Sequence, residues 1–343
     1  MIELLTIDGY KSIRHQLVPL KKLNVLAGLN SSGKSSVIQA LRILGRVAER
    51  KEDVLPENCG DEGTLRNKHE VKMEMTAHCG EDVIQYSDRS ITHPDFPKVI
   101  YVGADRIGPQ TIYPSKKNAG LDARGINVLR CIEESTDAGV ILPEIMLTPD
   151  CEGEAFKFVV QGWLKEISPG VRFNMDKVPG QEAHTATYNE NLPTNVGFGL
   201  SYTLPIIVAI LLGVTEKNSI VLLENPEAHI HAKGQTALAD LICRAADAGA
   251  QIVVETHSDH VFDGVRIYAK EHKGFSKEVN MAWFRLNDEE TTEIEYPMLQ
   301  DDGSLDRWPD DMFTQFMNNA ERLHNRLPRN SHPTTRCSVP SEW

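Results

Sequence analysis

Apolar and polar positions follow two rhythms along the chain, and the switches between them mark its elements. Residues 2–7 (IELLTI) and 23–27 (LNVLA) are short apolar runs that predict strands, and the second leads into GLNSSGKSS before a helical period begins. In that helix Val37, Leu41, Leu44 and Ala48 form one stripe, widened by Ile38 and Ala40, while Arg42, Arg46 and Glu49 fall largely off it. From about 50 to 97 the chain is charged and broken by Gly and Pro, with weak strand character near 70–77 and 82–86. KVIYVGA (98–104) then predicts a buried strand, followed by the loop ADRIGPQ.

Residues 115–195 predict two or three helices, such as 126–134 and 154–167, with no heptad pattern long enough for a coiled-coil arm. The last third is more regular: helix 203–213, strand 219–223, helix 232–248 ending at Gly249, strand 251–255, helix 258–272, then strands near 279–286 and 291–296. Strands alternating with helices imply an α/β fold on a mostly parallel sheet. A short helix at 311–324 precedes a polar, Pro-broken tail that is expected to be mobile or partner-bound. The expected organisation is a discontinuous core (1–114 and 196–324), a small inserted helical lobe (115–195) and a flexible tail (325–343). No internal repeat is found.

The clearest chemistry is Gly28-Leu29-Asn30-Ser31-Ser32-Gly33-Lys34-Ser35, which fits GxxxxGK[ST] between a predicted strand and a predicted helix. By average composition the bare pattern arises in about one chain in a hundred of this length. Glycines let successive N–H groups and the helix N-terminus turn toward phosphates, Lys34 reaches the β/γ oxygens, and the Ser35 hydroxyl can ligate Mg²⁺. Asn30, Ser31, Ser32 and Ser36 complete the cradle.

Two further strand ends carry polar groups. Ser219-Ile-Val-Leu-Leu-Glu224 is an apolar strand ending in a carboxylate, the place where a P-loop site holds an acid on the Mg²⁺ shell. His257, in VVETHS, ends a second buried strand and comes to the same carboxyl edge of the sheet. Upstream, Gly197-Phe-Gly-Leu-Ser201 opens an apolar helix with Ser201 or Thr203 as its N-cap and Pro205 near its first turn, a second candidate anion site. Together with the phosphate loop it suggests composite sites at a dimer interface.

Composition narrows the class. The chain has 343 residues, 41% hydrophobic and 25% charged, the balance of a soluble globular protein, and no strictly apolar run reaches the length of a membrane span. Its N-terminus lacks a signal-peptide pattern, so a cytoplasmic location is expected. Cys59, Cys79, Cys131, Cys151, Cys243 and Cys337 are scattered without CxxC pairs, which predicts ordinary thiols. With 49 acidic against 36 basic residues the net charge is −13, which opposes non-specific binding to nucleic acid.

GLNSSGKSS, YVGADRIGP, VGFGLSYTLP, LLENPEAHIHAKGQ, ETHSDHVFDGVR and DGSLDRWPDDMF, in that order, resemble the small AAA/ABC-type ATPases related to the OLD (overcoming lysogenization defect) family, over about residues 1–320. That wider group is also similar to structural-maintenance-of-chromosomes (SMC) and recombination ATPases. The resemblance implies a P-loop NTPase fold of ABC/SMC-like type. It further implies ATP and Mg²⁺ as ligands, Gly28 to Ser36 around the phosphates, Ser35 and Glu224 near Mg²⁺, and His257 as the histidine sensing the γ-phosphate. Gly199 and Ser201 would belong to a signature segment that meets nucleotide held by the partner subunit. Asp105, Arg106 and Gln110 occupy the stretch where related ATPases couple a lid to the site.

One departure stands out: Asn225 occupies the position where many relatives have a second carboxylate, and an amide cannot take a proton from water at neutral pH. Hydrolysis is therefore expected to be slow, with Glu227 as the alternative base. His229 and His231 form an HxH spacing without further ligands at a convincing interval. Larger OLD-type proteins append a TOPRIM nuclease, and none is expected here, because the stretch after His257 reads as two strands, a helix and a tail. The expected protein is thus a homodimeric ATPase coupled to a separate effector, a nuclease or toxin, in antiphage defence. Two alternatives stand beside it: a recombination-type ATPase holding DNA across its dimer, and a nucleotide-loaded scaffold with little turnover.

Overall fold

The computed structural model describes residues 1–55, 60–86 and 96–324. Cys59, Cys337 and the expected tail at 325–343 lie outside the described residues. Contacts divide the chain into a unit of Met1–Trp308 and a second unit from Pro309, so the 115–195 segment sits within the first unit.

The chain opens with β1 (Leu4–Tyr10) and β2 (Ile13–Pro19), an antiparallel hairpin, and continues into β3 (Leu23–Gly28). Helix α1 (Lys34–Ala48) follows the glycine loop, then a single turn α2 (Glu62–Leu65) and the strands β4 (Glu74–Cys79), β5 (Asp82–Gln85) and β6 (Lys98–Val102). The middle of the chain holds β7 (Tyr113–Pro114), α3 (Val128–Asp137), α4 (Phe156–Ile167), β8 (Phe173–Lys177) and β9 (Ala183–Tyr188). The last third runs α5 (Phe198–Thr215), β10 (Ser219–Glu224), α6 (Ala232–Asp247), β11 (Gln251–Glu255), α7 (Asp259–Glu271), β12 (Val279–Leu286) and β13 (Thr292–Glu295). The second unit carries α8 (Gln315–His324).

The main sheet has the order β13-β12-β3-β11-β10-β6, parallel throughout except for β13. Its central strands are continuous apolar runs because helices cover both faces. In β10, Ile220 and Leu222 join the core around α1, while Val221 meets Gly213 of α5 on the other face. A second sheet, β2-β1-β4-β5, is wholly antiparallel and shares the α1 core through Leu5, Ile7 and Met75. Gln251, at the start of β11, ties the two ends of this arrangement together by bonding both N and O of Ile2.

Three expectations are corrected. Strand β2 and the second sheet are absent from the sequence reading; β2 presents only Ile13 and Val18 as buried positions, so its pattern carries little periodic signal. The 115–195 segment is not purely helical, because β7, β8 and β9 form a three-stranded antiparallel sheet beside α3. Helix α5 starts at Phe198 with Gly197 as N-cap, which places Ser201 and Thr203 inside the helix and Pro205 well past its first turn. The Thr203 hydroxyl donates back to the Gly199 carbonyl, 2.6 Å away, instead of capping. At 18 residues α5 has the length and composition of a membrane-spanning helix, but 61% of it is buried within the protein.

Candidate nucleotide site

The glycine loop sits where the parallel sheet presents the carboxyl ends of β3, β11 and β10. Gly28 has φ +142° and pairs in register with Phe284 of β12, whose carbonyl would collide with any Cβ at Gly28. Gly33 has φ +104° and is the N-cap of α1. There a Cβ would come within 2.5 Å of the Thr292 hydroxyl. Both glycines are therefore demanded by backbone shape and by close approach. Thr292 donates to the Ser32 carbonyl at 3.0 Å and shares a 2.8 Å hydrogen bond with Ser12, so β13 and the β1–β2 turn clamp the loop from outside. The first turn of α1 carries no acidic residue and no side-chain cap, leaving its N–H groups and dipole available to an anion.

Within the loop, Lys34 is buried, and its ammonium donates to the carbonyls of Gly28 (3.0 Å) and Leu29 (2.7 Å). Burial lowers its pKa, and the nearby charge of Glu255 opposes that shift. The Ser35 hydroxyl donates to Glu255 Oε1 at 2.9 Å, and Lys34 Nζ lies 4.0 Å from the same oxygen. Glu255 is 5% exposed, and its Oε2 is buried without a hydrogen-bond partner. Burial raises its pKa, with the Glu224 charge adding to that and the Ser35 hydroxyl opposing it.

These groups line a cavity of about 570 Å³ together with Asn30, Ser31, Ser32, Ser36, Asn225, His257, Lys11 and Ser12. Glu255 is the one carboxylate among the described residues lining it. Glu224, its register partner across β10 and β11, instead accepts from the Ala104 N–H at 3.3 Å and stays off the cavity wall. Glu227 accepts the His257 N–H at 2.8 Å through Oε1, while Oε2 is buried and unpartnered. Asn225 adopts φ +45°, a left-handed conformation in which Asn is favoured over Glu. An amide side chain at this position thus has a backbone reason.

Arg106 fixes this turn. Its buried guanidinium donates to the carbonyls of Gly103 (3.1 Å), Glu224 (2.9 Å) and Asn225 (2.7 Å), and it lies 5.3 Å above the Tyr202 ring of α5. Tyr202 in turn packs edge-on against His229 at 4.7 Å. Burial lowers the Arg106 pKa, and the charges of Glu227, Tyr202 and Glu224 push it back up.

The structure therefore gathers Asn30, Ser31, Ser32, Gly33, Lys34, Ser35, Ser36 and His257 at one cavity, with Gly28 behind them in β3 accepting from Lys34 through its carbonyl. It does not bring Gly199 or Ser201 there. Ser201 is buried with its hydroxyl unpartnered, and Gly199 lets α5 approach the His229 carbonyl, where a Cβ would come within 2.6 Å. Asp105 pairs with Arg124 at 3.3 Å, and Gln110 is off the cavity wall. His231 caps α6 by accepting from Lys233 N. The sequence reading missed Glu255, Thr292, Ser12 and Lys11. For Glu255 a signal existed: SIVLLE and QIVVE are two apolar strands that each end in glutamate.

Residues 1–100 match a family model described as "AAA ATPase domain", and residues 180–263 match one described as "AAA domain, putative AbiEii toxin, Type IV TA system". No curated protein matches the chain. Among solved structures, an SMC head bound to the C-terminal winged-helix domain of ScpA is similar at TM-score 0.54 and 15% identity, covering 87% of this chain and 98% of that one. The Pyrococcus furiosus SMC head with an extended coiled coil, bound to the C-terminal domain of ScpA, is similar at TM-score 0.51 and 15% identity, covering 94% and 99%. The fold is that of α/β P-loop NTPases with SMC heads among its neighbours. The two AAA matches add that residues 1–100 and 180–263 are similar to AAA-family ATPase domains.

Proposed function

We propose that this protein binds ATP with Mg²⁺ in the cavity above α1, hydrolyses it slowly, and uses nucleotide state to govern a homodimer coupled to a separate effector protein, in antiphage defence. The carrying observation is the cradle itself: the free N-terminus of α1 and the buried Lys34 face a cavity that Gly28, Gly33 and Thr292 shape to phosphate. The donor set suits Mg²⁺, which takes hard oxygens from one or two carboxylates, a hydroxyl and the nucleotide's own phosphates. Ser35 and Glu224 would hold it, and when bound it supplies neutralisation of the charge developing on the transferred phosphoryl group. His257, exposed at the rim, would sense the γ-phosphate.

Slow turnover follows from the site's bases. Asn225 cannot accept a proton, and one oxygen of Glu227 is engaged by the His257 N–H. The partner reading is supported by two neighbours solved with a domain of ScpA. A net charge of −13 favours a protein partner over bare DNA. Steady-state ATP hydrolysis and sedimentation with and without ATP test the proposal against Lys34→Ala. Turnover and ATP-dependent dimerisation that both vanish in Lys34→Ala are expected. A wild-type protein that neither binds ATP nor changes mass with it would refute the reading.

A further inference from the structure

Beside Glu224, the acid expected at the metal, the site holds a second carboxylate with a stronger claim on the phosphate cavity. Glu255 ends β11, the strand between the phosphate-loop strand β3 and the acidic strand β10. Its Cα stands in register with that of Glu224 on a neighbouring parallel strand, roughly 4.8 Å away by strand spacing. Two carboxylates at one level of one sheet edge repel each other unless a cation joins them. Lys34 fills that need only in part: its ammonium donates to the Gly28 and Leu29 carbonyls and pairs with the nearer Glu255 oxygen at 4.0 Å, the long limit of an ion pair, leaving the second oxygen unmet.

The two oxygens of Glu255 are unlike. Oε1 accepts the Ser35 hydroxyl at 2.9 Å, which commits the hydroxyl proton and leaves the Ser35 lone pairs directed away from the carboxylate. Oε2 is buried, unpartnered and part of a residue on the cavity wall, and an orphaned acceptor on a side chain only 5% exposed is costly unless a ligand meets it. Glu224, by contrast, has one oxygen on the Ala104 N–H and lies off that wall.

We infer that Glu255 is a metal-shell carboxylate of this site: through Oε1 it orients the Ser35 hydroxyl for Mg²⁺, and through Oε2 it holds the ion or a water bound to it, sharing the cation with Glu224. This rests on the ATP–Mg²⁺ reading above. A buried carboxylate beside the phosphates opposes ATP when no metal is present and favours it when metal is present. Neutralising Glu255 should therefore move the two affinities in opposite directions, which loss of packing alone would not do.

The experiment is calorimetric titration of the full chain with ATP, once in excess EDTA and once in excess MgCl₂, for wild type, Glu255→Gln and Glu255→Asp. Glu255→Gln is expected to bind ATP in EDTA as tightly as wild type or several-fold more tightly. Its gain in affinity from Mg²⁺ should be at least tenfold smaller than that of wild type. Glu255→Asp, which keeps the charge at a shorter reach, should recover part of that gain. An unchanged Mg²⁺ gain in Glu255→Gln overturns the inference while leaving ATP binding intact. Loss of ATP in both conditions also overturns it, since Glu255 would then belong to the loop's framework. Failure of wild type to bind ATP at all overturns the underlying reading as well, and is separately visible.

Discussion

Arg106 offers the sharpest test of how the acidic turn is held. Its guanidinium is 2% exposed, has no carboxylate within ion-pair distance among the described residues, and instead makes three hydrogen bonds to main-chain carbonyls at 2.7–3.1 Å. Arg106→Met preserves length and apolar packing but deprives those carbonyls of a charged donor. Buried acceptors left without a partner cost about 1–3 kcal/mol each, offset by relief of the arginine's own desolvation, so a net loss of about 2–4 kcal/mol in unfolding free energy is expected. Arg106→Lys keeps the charge but cannot fork to two adjacent carbonyls, and should fall between, at about 1–2 kcal/mol. Urea unfolding followed by circular dichroism measures both, with ATP titration as the functional readout. Nucleotide affinity should fall in Arg106→Met, because the Glu224–Asn225 turn loosens beside the cavity. An unfolding free energy for Arg106→Met within about 0.5 kcal/mol of wild type would refute the reasoning.

Three further outcomes are expected. Thr292→Val removes the hydroxyl that donates to the Ser32 carbonyl and accepts from Ser12; it should lower stability by about 1 kcal/mol and weaken ATP binding, measured by the same two assays. Asn225→Gly should be nearly neutral in unfolding free energy, whereas Asn225→Glu should cost about 1 kcal/mol because the left-handed conformation crowds Cβ against the backbone and Glu lacks the short polar side chain that makes Asn tolerated there. For Glu255, burial and the Glu224 charge hold the folded pKa above its unfolded value, so the folded state keeps this proton to higher pH. Its contribution to stability is fully present below the usual carboxylate pKa and is lost as pH rises through the raised value. Glu255→Gln should therefore gain stability relative to wild type on going from acid to neutral pH; a pH-independent difference between the two would contradict this.

The parallel core was legible because its strands are apolar runs flanked by helices of clear period, and β10, β11 and β12 fall within a residue of their expected limits. The phosphate loop was legible because it is contiguous. What the sequence hid is what depends on distant partners. Strand β2 pairs through its backbone with only two buried side chains, so no period announces it. Helix α5 begins a turn earlier than Ser201, since Gly199 there serves packing against His229 and not the start of a helix. Arg106 reads as one charge in a loop, and only the fold shows three carbonyls closing around it. Glu255 was overshadowed by its neighbour His257, although its strand repeats the ending of β10.

The clamp on the phosphate loop also sets an order of events during synthesis. Ser32 and the threonine that holds its carbonyl are separated by 260 positions in the chain, and Gly28 is paired with Phe284 of β12. A ribosome adds about 5–20 residues per second, so the loop waits roughly 13–50 s for its far wall to emerge. Until then the cradle lacks β12 and β13, and a growing chain presents the motif without the site. Completion of the cradle is thus tied to near-completion of translation: a prematurely ended product that contains every residue of the glycine loop would still lack the wall that holds it.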